Sequence, residues 1–142
     1  KSQFYSLYSE AIFDSITSKK TTLSEYNIYI LETIKKLLGI NRELIKSSEL
    51  NVLGVKDQLL ANICQQREAT VYVSPEGSRH YLELSTYFNY KKIEIEFFKY
   101  SHPVYDQLYG DFIPYMSVID LIFNKGDKST DIIKTSVSYE GC

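Results

Sequence analysis

The chain has no tryptophan, one methionine, three prolines and two cysteines among its 142 residues. Two cysteines are too few for a disulfide framework. Neither Cys64 nor Cys142 sits in a C-x-x-C pair, so no zinc site is expected. This usage fits a reducing compartment. Cys64, inside a helical pattern, reads as a small buried apolar residue. No apolar run approaches the roughly 20 residues needed to span a bilayer. An excess of basic charge is also missing. Lys and Arg number 16 against 18 Asp and Glu, a net charge of −2. Lys19-Lys20, Lys35-Lys36 and Lys91-Lys92 are isolated doublets, not a stripe that would neutralise phosphates, so a nucleic-acid partner is excluded. There is no initiator methionine and no charged-then-apolar leader. The chain therefore reads as a cytoplasmic piece of something longer.

What is present describes a globular protein: 44% apolar and 24% charged residues, in the ordinary range. The length suits one domain, which at this size buries roughly 70% of its unfolded surface without disulfide or metal. Tyrosine is frequent, at 13 residues. Tyrosine stacks on sugar rings and bonds their hydroxyls, although Lys and Ile also run high, which points to compositional drift.

Periodicity organises the chain. Phe4, Leu7, Tyr8, Ala11, Ile12, Ser15 and Ile16 fall on one helical face. Thr22-Leu-Ser-Glu25 is a capping-box sequence opening a helix through Tyr26, Ile30, Ile34, Leu37 and Leu38, which Gly39 ends. These form an expected antiparallel pair. Residues 43–48 read as a short strand. After Gly54 a helix carries Val55, Leu59, Ile63 and Cys64 on one face. Residues 70–74 read as a strand stopped by Pro75-Glu-Gly77. Ser78 is placed to cap a helix through Tyr81, Leu84, Ser85 and Phe88. Residues 92–98 alternate apolar and charged side chains, as a strand with one wet face does. The order predicts an α/β fold: a short, mainly parallel β-α-β-α-β core. A final helix covers residues 117–123 and ends at Gly126. The tail beyond Asp127 is polar and weakly patterned.

Ligands of parallel sheets gather beyond the carboxyl ends of the strands. Two such ends are Ser47-Ser48-Glu49, leading to Gly54 and Lys56, and Ser74-Pro-Glu-Gly-Ser78. Each precedes a helix whose free N–H groups favour phosphate or carboxylate, though turn and capping roles also account for them. A polar, aromatic stretch from His102 to Pro114 gathers His102, Tyr105, Asp106, Gln107 and Asp111 beside a strand end. His102 is a candidate general base, with no serine or cysteine nucleophile to pair it with. His80 is a weaker candidate. Glu94 and Glu96 share a strand face; their alternation with Ile93, Ile95 and Phe97 reads as the solvated side of an edge strand. Asp120 interrupts an apolar helix and needs a hydrogen-bond partner; Asn124 lies one turn on.

Tyr105-Asp-Gln107, Phe112-Ile-Pro114 and Ser117-Val-Ile-Asp-Leu-Ile-Phe-Asn-Lys-Gly126 together resemble the closing motif of the WbqC-like family. Ser47-Ser-Glu-Leu50 with Gly54 and Lys56, and Tyr72-Val-Ser74 with Gly77 and Tyr81-Leu82, are similar to its middle segments. The resemblance covers about residues 44–126 and makes the chain a single α/β domain from the C-terminal portion of a longer member. It implies a cytoplasmic bacterial protein of surface-polysaccharide (O-antigen, lipopolysaccharide) assembly, transferring glycine or acyl groups to amino sugars. The family's N-terminal hallmark, His-Gln-Pro followed by an Asn-Arg pair, is absent; Asn41-Arg42 lies elsewhere. The carry-over therefore rests on Tyr105, Gln107, Ser117, Asp120 and the two loops. Under this reading Ser47, Ser48, Lys56, Ser74 and Gly77 hold a phosphate-bearing donor or sugar nucleotide, and Tyr105 and Gln107 orient the acceptor. His102, Tyr105 and Asp120 are the catalytic candidates. No metal is expected, and no cofactor is specified. Partners would be a sugar or acyl donor and proteins of polysaccharide assembly. The alternative is a non-catalytic binding or assembly module, suggested by the absent hallmark and the lack of a nucleophile–base pair. A nucleotidyltransferase-like relative is a third reading, on topology alone.

Overall fold

The computed structural model describes residues 1–141; Cys142 lies outside them. In chain order the elements are α1 (Tyr5–Thr17), α2 (Leu23–Leu37), α3 (Lys56–Gln66), β1 (Val71–Pro75), α4 (Arg79–Leu82), α5 (Thr86–Lys91), β2 (Glu94–Tyr100), α6 (Val118–Lys125), α7 (Ser129–Thr135) and β3 (Val137–Gly141). This is the expected mixed α/β architecture, with its N-terminal helical pair and C-terminal helix. The sheet has three strands in the order β1-β2-β3. Contacts divide the chain into two compact units, one made of Lys1–Arg42 and His102–Ser136, the other of Glu43–Ser101 and β3.

In the first unit, Tyr8 and Ile12 of α1 bury against Ile122 of α6, ringed by Phe4, Ile34, Leu37, Leu38 and Phe123. The capping box forms as read: the Thr22 hydroxyl accepts from the Glu25 N–H at 3.2 Å, and the Glu25 carboxylate accepts from the Thr22 N–H at 3.1 Å. Such a cap contributes roughly 1 kcal/mol. Gly126 ends α6 at φ +53°, and a Cβ there would stand 2.6–2.8 Å from the Phe4 ring. The Phe4 N–H donates to the Phe123 carbonyl at 3.0 Å, so the ring's backbone is tied in place. Only glycine suits both the backbone and the space. The Tyr8 hydroxyl donates to Asp127 Oδ1 at 2.6 Å, and this bond, with burial, raises the phenol above the usual tyrosine range.

In the second unit, Ala61 and Cys64 of α3 pack on Leu82, Phe88, Ile93, Ile95 and Phe97 in one apolar core. Burial of each large side chain there contributes about 1.5–3 kcal/mol. Burial also pushes the Cys64 thiol up, away from its reactive form. Strands β1 and β2 are parallel, with Ser74 opposite Phe97; β2 and β3 are antiparallel, with Phe97 opposite Glu140. Arg79 ties these parts together. Its guanidinium donates to Glu76, Glu83 and Glu140 and lies 4.3 Å from the centroid of the Phe97 ring.

Four expectations change. Residues 43–46 join no ladder, and Ser47–Glu49 is a 3₁₀ turn. Strand-like composition without a partner does not make a strand. The helix expected from Ser78 to Phe88 breaks into α4 and α5, because Ser85 adopts an extended backbone at φ −74°, ψ 119°. Strand β2 is central rather than an edge, because β3 pairs with its other side. Its alternation records one open sheet face, where Val73, Glu94 and Tyr139 are exposed. Finally, the polar tail supplies both α7 and β3.

Candidate functional site

The irregular stretch between β2 and α6 is held by side-chain hydrogen bonds rather than by a ladder. Its hub is Asp120, in the first turn of α6, where the N-terminal dipole favours a carboxylate. The Ser117 hydroxyl caps that helix, accepting from the Ile119 N–H at 3.3 Å. Asp120 Oδ2 accepts from the Tyr105 hydroxyl at 2.9 Å and from Gln107 Nε2 at 3.0 Å. Its Oδ1 accepts from Asn124 Nδ2 at 3.0 Å. Bonds to a charged acceptor are stronger than neutral ones. Gln107 also clamps Ile113 from both sides: Oε1 accepts the Ile113 N–H at 2.8 Å and Nε2 donates to its carbonyl at 3.0 Å. The clamp closes the turn that contains Gly110, at φ +66°.

His102 is committed on both ring nitrogens. Nε2 accepts the Tyr115 N–H at 3.0 Å, so that nitrogen is unprotonated. Nδ1 then carries the proton and faces the Pro103 carbonyl at 3.0 Å. The bond holds Tyr115 in a left-handed conformation, φ +61°, which costs a bulky residue about 1–2 kcal/mol. Phe112 packs against both Tyr105 and His102, with ring centroids 5.4 and 5.8 Å apart.

Beside this network lies a cavity of about 470 Å³, lined by Val104, Tyr105, Asp106, Gln107, Gly110, Phe112, Lys125, Lys128 and Ile132. Lys125 Nζ meets Asp106 Oδ2 at 2.6 Å, and this contact holds the Asp106 carboxyl below its usual range. The lining is mixed: Val104, Phe112 and Ile132 are apolar, and Tyr105, Asp106, Gln107, Lys125 and Lys128 are polar or charged. Among the described residues no group of three His, Cys, Asp or Glu stands close enough to hold a metal.

His102, Tyr105, Gln107 and Asp120 thus belong to one network, and Tyr105 and Gln107 also face the cavity. The remaining candidates fall in the second unit. Ser47 and Ser48 are exposed on the 3₁₀ turn with no strand before them, and Lys56 opens α3 exposed, at φ +51°. Ser74 is buried, its hydroxyl bonded to that of Ser78 at 2.7 Å. Ser78 in turn donates to the Pro75 carbonyl at 2.6 Å and does not cap α4. Gly77 lies exposed in the Glu76–Ser78 turn, without positive φ. His80 stacks edge-on against Tyr81. Sequence reasoning missed Lys125, Lys128 and Ile132 as cavity residues. Lys125 stands in the closing motif without a role assigned to it, and Lys128 and Ile132 lie in the tail read as polar and weakly patterned.

The match to known proteins covers both units. Residues 1–132 match the WbqC-like protein family. The chain belongs to that family. The WbqC-like match takes in the helical pair, so it is not confined to the residues from 44 onward that carried the resemblance. The chain is also 35% identical over 120 residues to the uncharacterized protein Rv1507c of Mycobacterium tuberculosis (strain ATCC 25618 / H37Rv), covering 84% of this chain and 52% of that one. The chain spans about half the length of this curated relative. No solved structure matches it. No helix among the described residues is long and apolar enough to cross a membrane.

Proposed function

We propose that this WbqC-like chain contributes the acceptor pocket of a cytoplasmic transferase that modifies amino sugars during bacterial surface-polysaccharide assembly, with a glycine or acyl group as the moiety transferred. One observation carries the reading: a cavity of about 470 Å³ whose walls combine Val104, Phe112 and Ile132 with the polar Tyr105, Gln107 and two lysines. A sugar has the same division, apolar C–H faces and a rim of hydroxyls. In this reading Tyr105 and Gln107 shape the pocket through Asp120. Ser47, Ser48, Lys56, Ser74 and Gly77 remain the proposed donor positions. The measurement is a thermal-shift screen of the chain against sugar nucleotides, amino sugars, acyl-coenzyme A and glycine. A ligand at 100 times its Kd stabilises the native state by about 2.7 kcal/mol, several degrees for this size. A sugar compound should raise Tm in the wild type and not in Val104→Trp, which fills the exposed mouth of the cavity. A shift that survives Val104→Trp places the ligand elsewhere and removes the reading.

A second reading, a binding or assembly module without chemistry, is favoured by the same loop. Both nitrogens of His102 and both oxygens of Asp120 are taken by neighbours, and Leu108, Tyr109, Ile113, Tyr115 and Met116 are exposed around them. Binding of a sugar without turnover, alone or with its assembly partners present, supports the module.

A further inference from the structure

The cavity walls carry two ammonium groups and one carboxylate: Lys125, Lys128 and Asp106. That is a local balance of +1, set in a chain whose net charge is −2. The three groups are held very differently. The Lys125 side chain is only 20% exposed, its stem fixed at the end of α6, whereas the Asp106 side chain that reaches it is 98% exposed. Lys128 has no carboxylate within ion-pair distance among the described residues. A pair with one partner this open contributes little to the fold, because water solvates the carboxylate nearly as well when it swings away. The cation is therefore built in, and the anion opposite it is replaceable.

Resting on the reading of this cavity as a ligand site, we infer that it takes an oxyanion of its ligand between Lys125 and Lys128, with Asp106 as an internal anion that occupies Lys125 until the ligand displaces it. The oxyanion is a phosphate of a sugar nucleotide or the carboxylate of an acidic sugar. Both present two or more oxygens that accept charge-assisted bonds from both ammonium groups. Asp106 offers Lys125 a single contact and leaves Lys128 unmatched, so a ligand that serves both lysines outcompetes it. Asp106 also sets selectivity. A neutral ligand gives Lys125 no charge-assisted bond in exchange, so this end of the cavity favours anionic ligands over uncharged sugars.

The test is calorimetric titration of the whole chain at low ionic strength with inorganic pyrophosphate and, separately, with glucuronate. At least one should bind. Asp106→Asn removes the internal competitor and keeps the side chain's shape, and should tighten binding by up to about fivefold, the worth of an exposed ion pair. Lys125→Met and Lys128→Met should each weaken it about tenfold or more. Lys128 is exposed, so its variant tests the site even if the Lys125 variant folds poorly. Pyrophosphate binding alone assigns the oxyanion to a phosphate, glucuronate alone to a sugar carboxylate. Binding that is unchanged in Lys128→Met, or unchanged or weaker in Asp106→Asn, overturns the inference. So does failure of both anions to bind wild type and Asp106→Asn alike. If Val104→Trp abolishes sugar binding while the three charge variants leave it intact, the pocket reading stands and the oxyanion falls. If the anions behave as expected but no amino sugar or sugar nucleotide binds, the oxyanion site stands and the amino-sugar reading falls.

Discussion

The two units are held together by different means. The second buries Ala61, Leu82, Phe88 and Phe97 completely, and its sheet backbone is paired on both sides of β2. Its polar groups serve that packing, as Arg79 does over Phe97. The first unit has a smaller apolar core around Tyr8, Ile12 and Ile122. Its long irregular stretch hangs on a single carboxylate, Asp120, and on the Gln107 clamp. Apolar packing is indifferent to direction and closes space. A hydrogen-bonded loop keeps its shape while leaving room beside it, and the cavity lies against the loop of this kind.

The contrast can be broken from either side. The largest effect is expected for Phe97→Ala, which empties the centre of the second unit and should cost about 3–5 kcal/mol, read from denaturant unfolding. An unfolding free energy within about 1 kcal/mol of wild type would mean that the apolar core does not carry this unit. Asp120→Asn should cost less, about 1–3 kcal/mol, because the amide keeps the shape but loses the charge and sets its NH₂ against other donors. Its signature is local. Hydrogen exchange should accelerate at the Ile113 and Tyr115 amides while the β2–β3 amides stay protected. Uniform loss of protection would show that the network is part of a general core.

The smallest effect comes from Tyr8, whose hydroxyl meets Asp127. The folded state raises this phenol above the ordinary value of about 10. The protonated form is the one that donates, so its contribution is complete below the unfolded value and is lost as pH rises through the raised one. Tyr8→Phe should therefore lie about 1 kcal/mol below wild type near neutrality. The gap should close in melts carried into the alkaline range above the ordinary tyrosine value. A gap that persists there would assign the loss to packing.

Legibility in the sequence followed the same division. Thr22 with Glu25, Gly39, the residue 70–74 strand and the β2 alternation were readable because each depends on near neighbours. So was Asp120 with Asn124, one helical turn apart. The last strand, β3, was not, although Val137-Ser-Tyr-Glu alternates, because five residues hold too little pattern to be told from a polar tail. Residues 43–48 failed in the opposite sense: strand-like side chains joined no ladder. The cavity was half legible. Tyr105 and Gln107 stood out in the motif, but the approach of Asp106 to Lys125 spans 19 residues and depends on how a loop with no periodicity folds back.

The return of Val137–Gly141 to β2 has a consequence for biogenesis. A nascent chain has made β1 and β2 long before their last partner leaves the ribosome, and nearly all of the intervening segment, His102–Ser136, belongs to the other unit. Until then one side of β2 is an unpaired edge, open to a neighbouring chain. Closing so long a loop costs entropy, and prior folding of the intervening segment shortens its effective length. The path of the chain therefore makes β3 the last partner that the sheet can acquire.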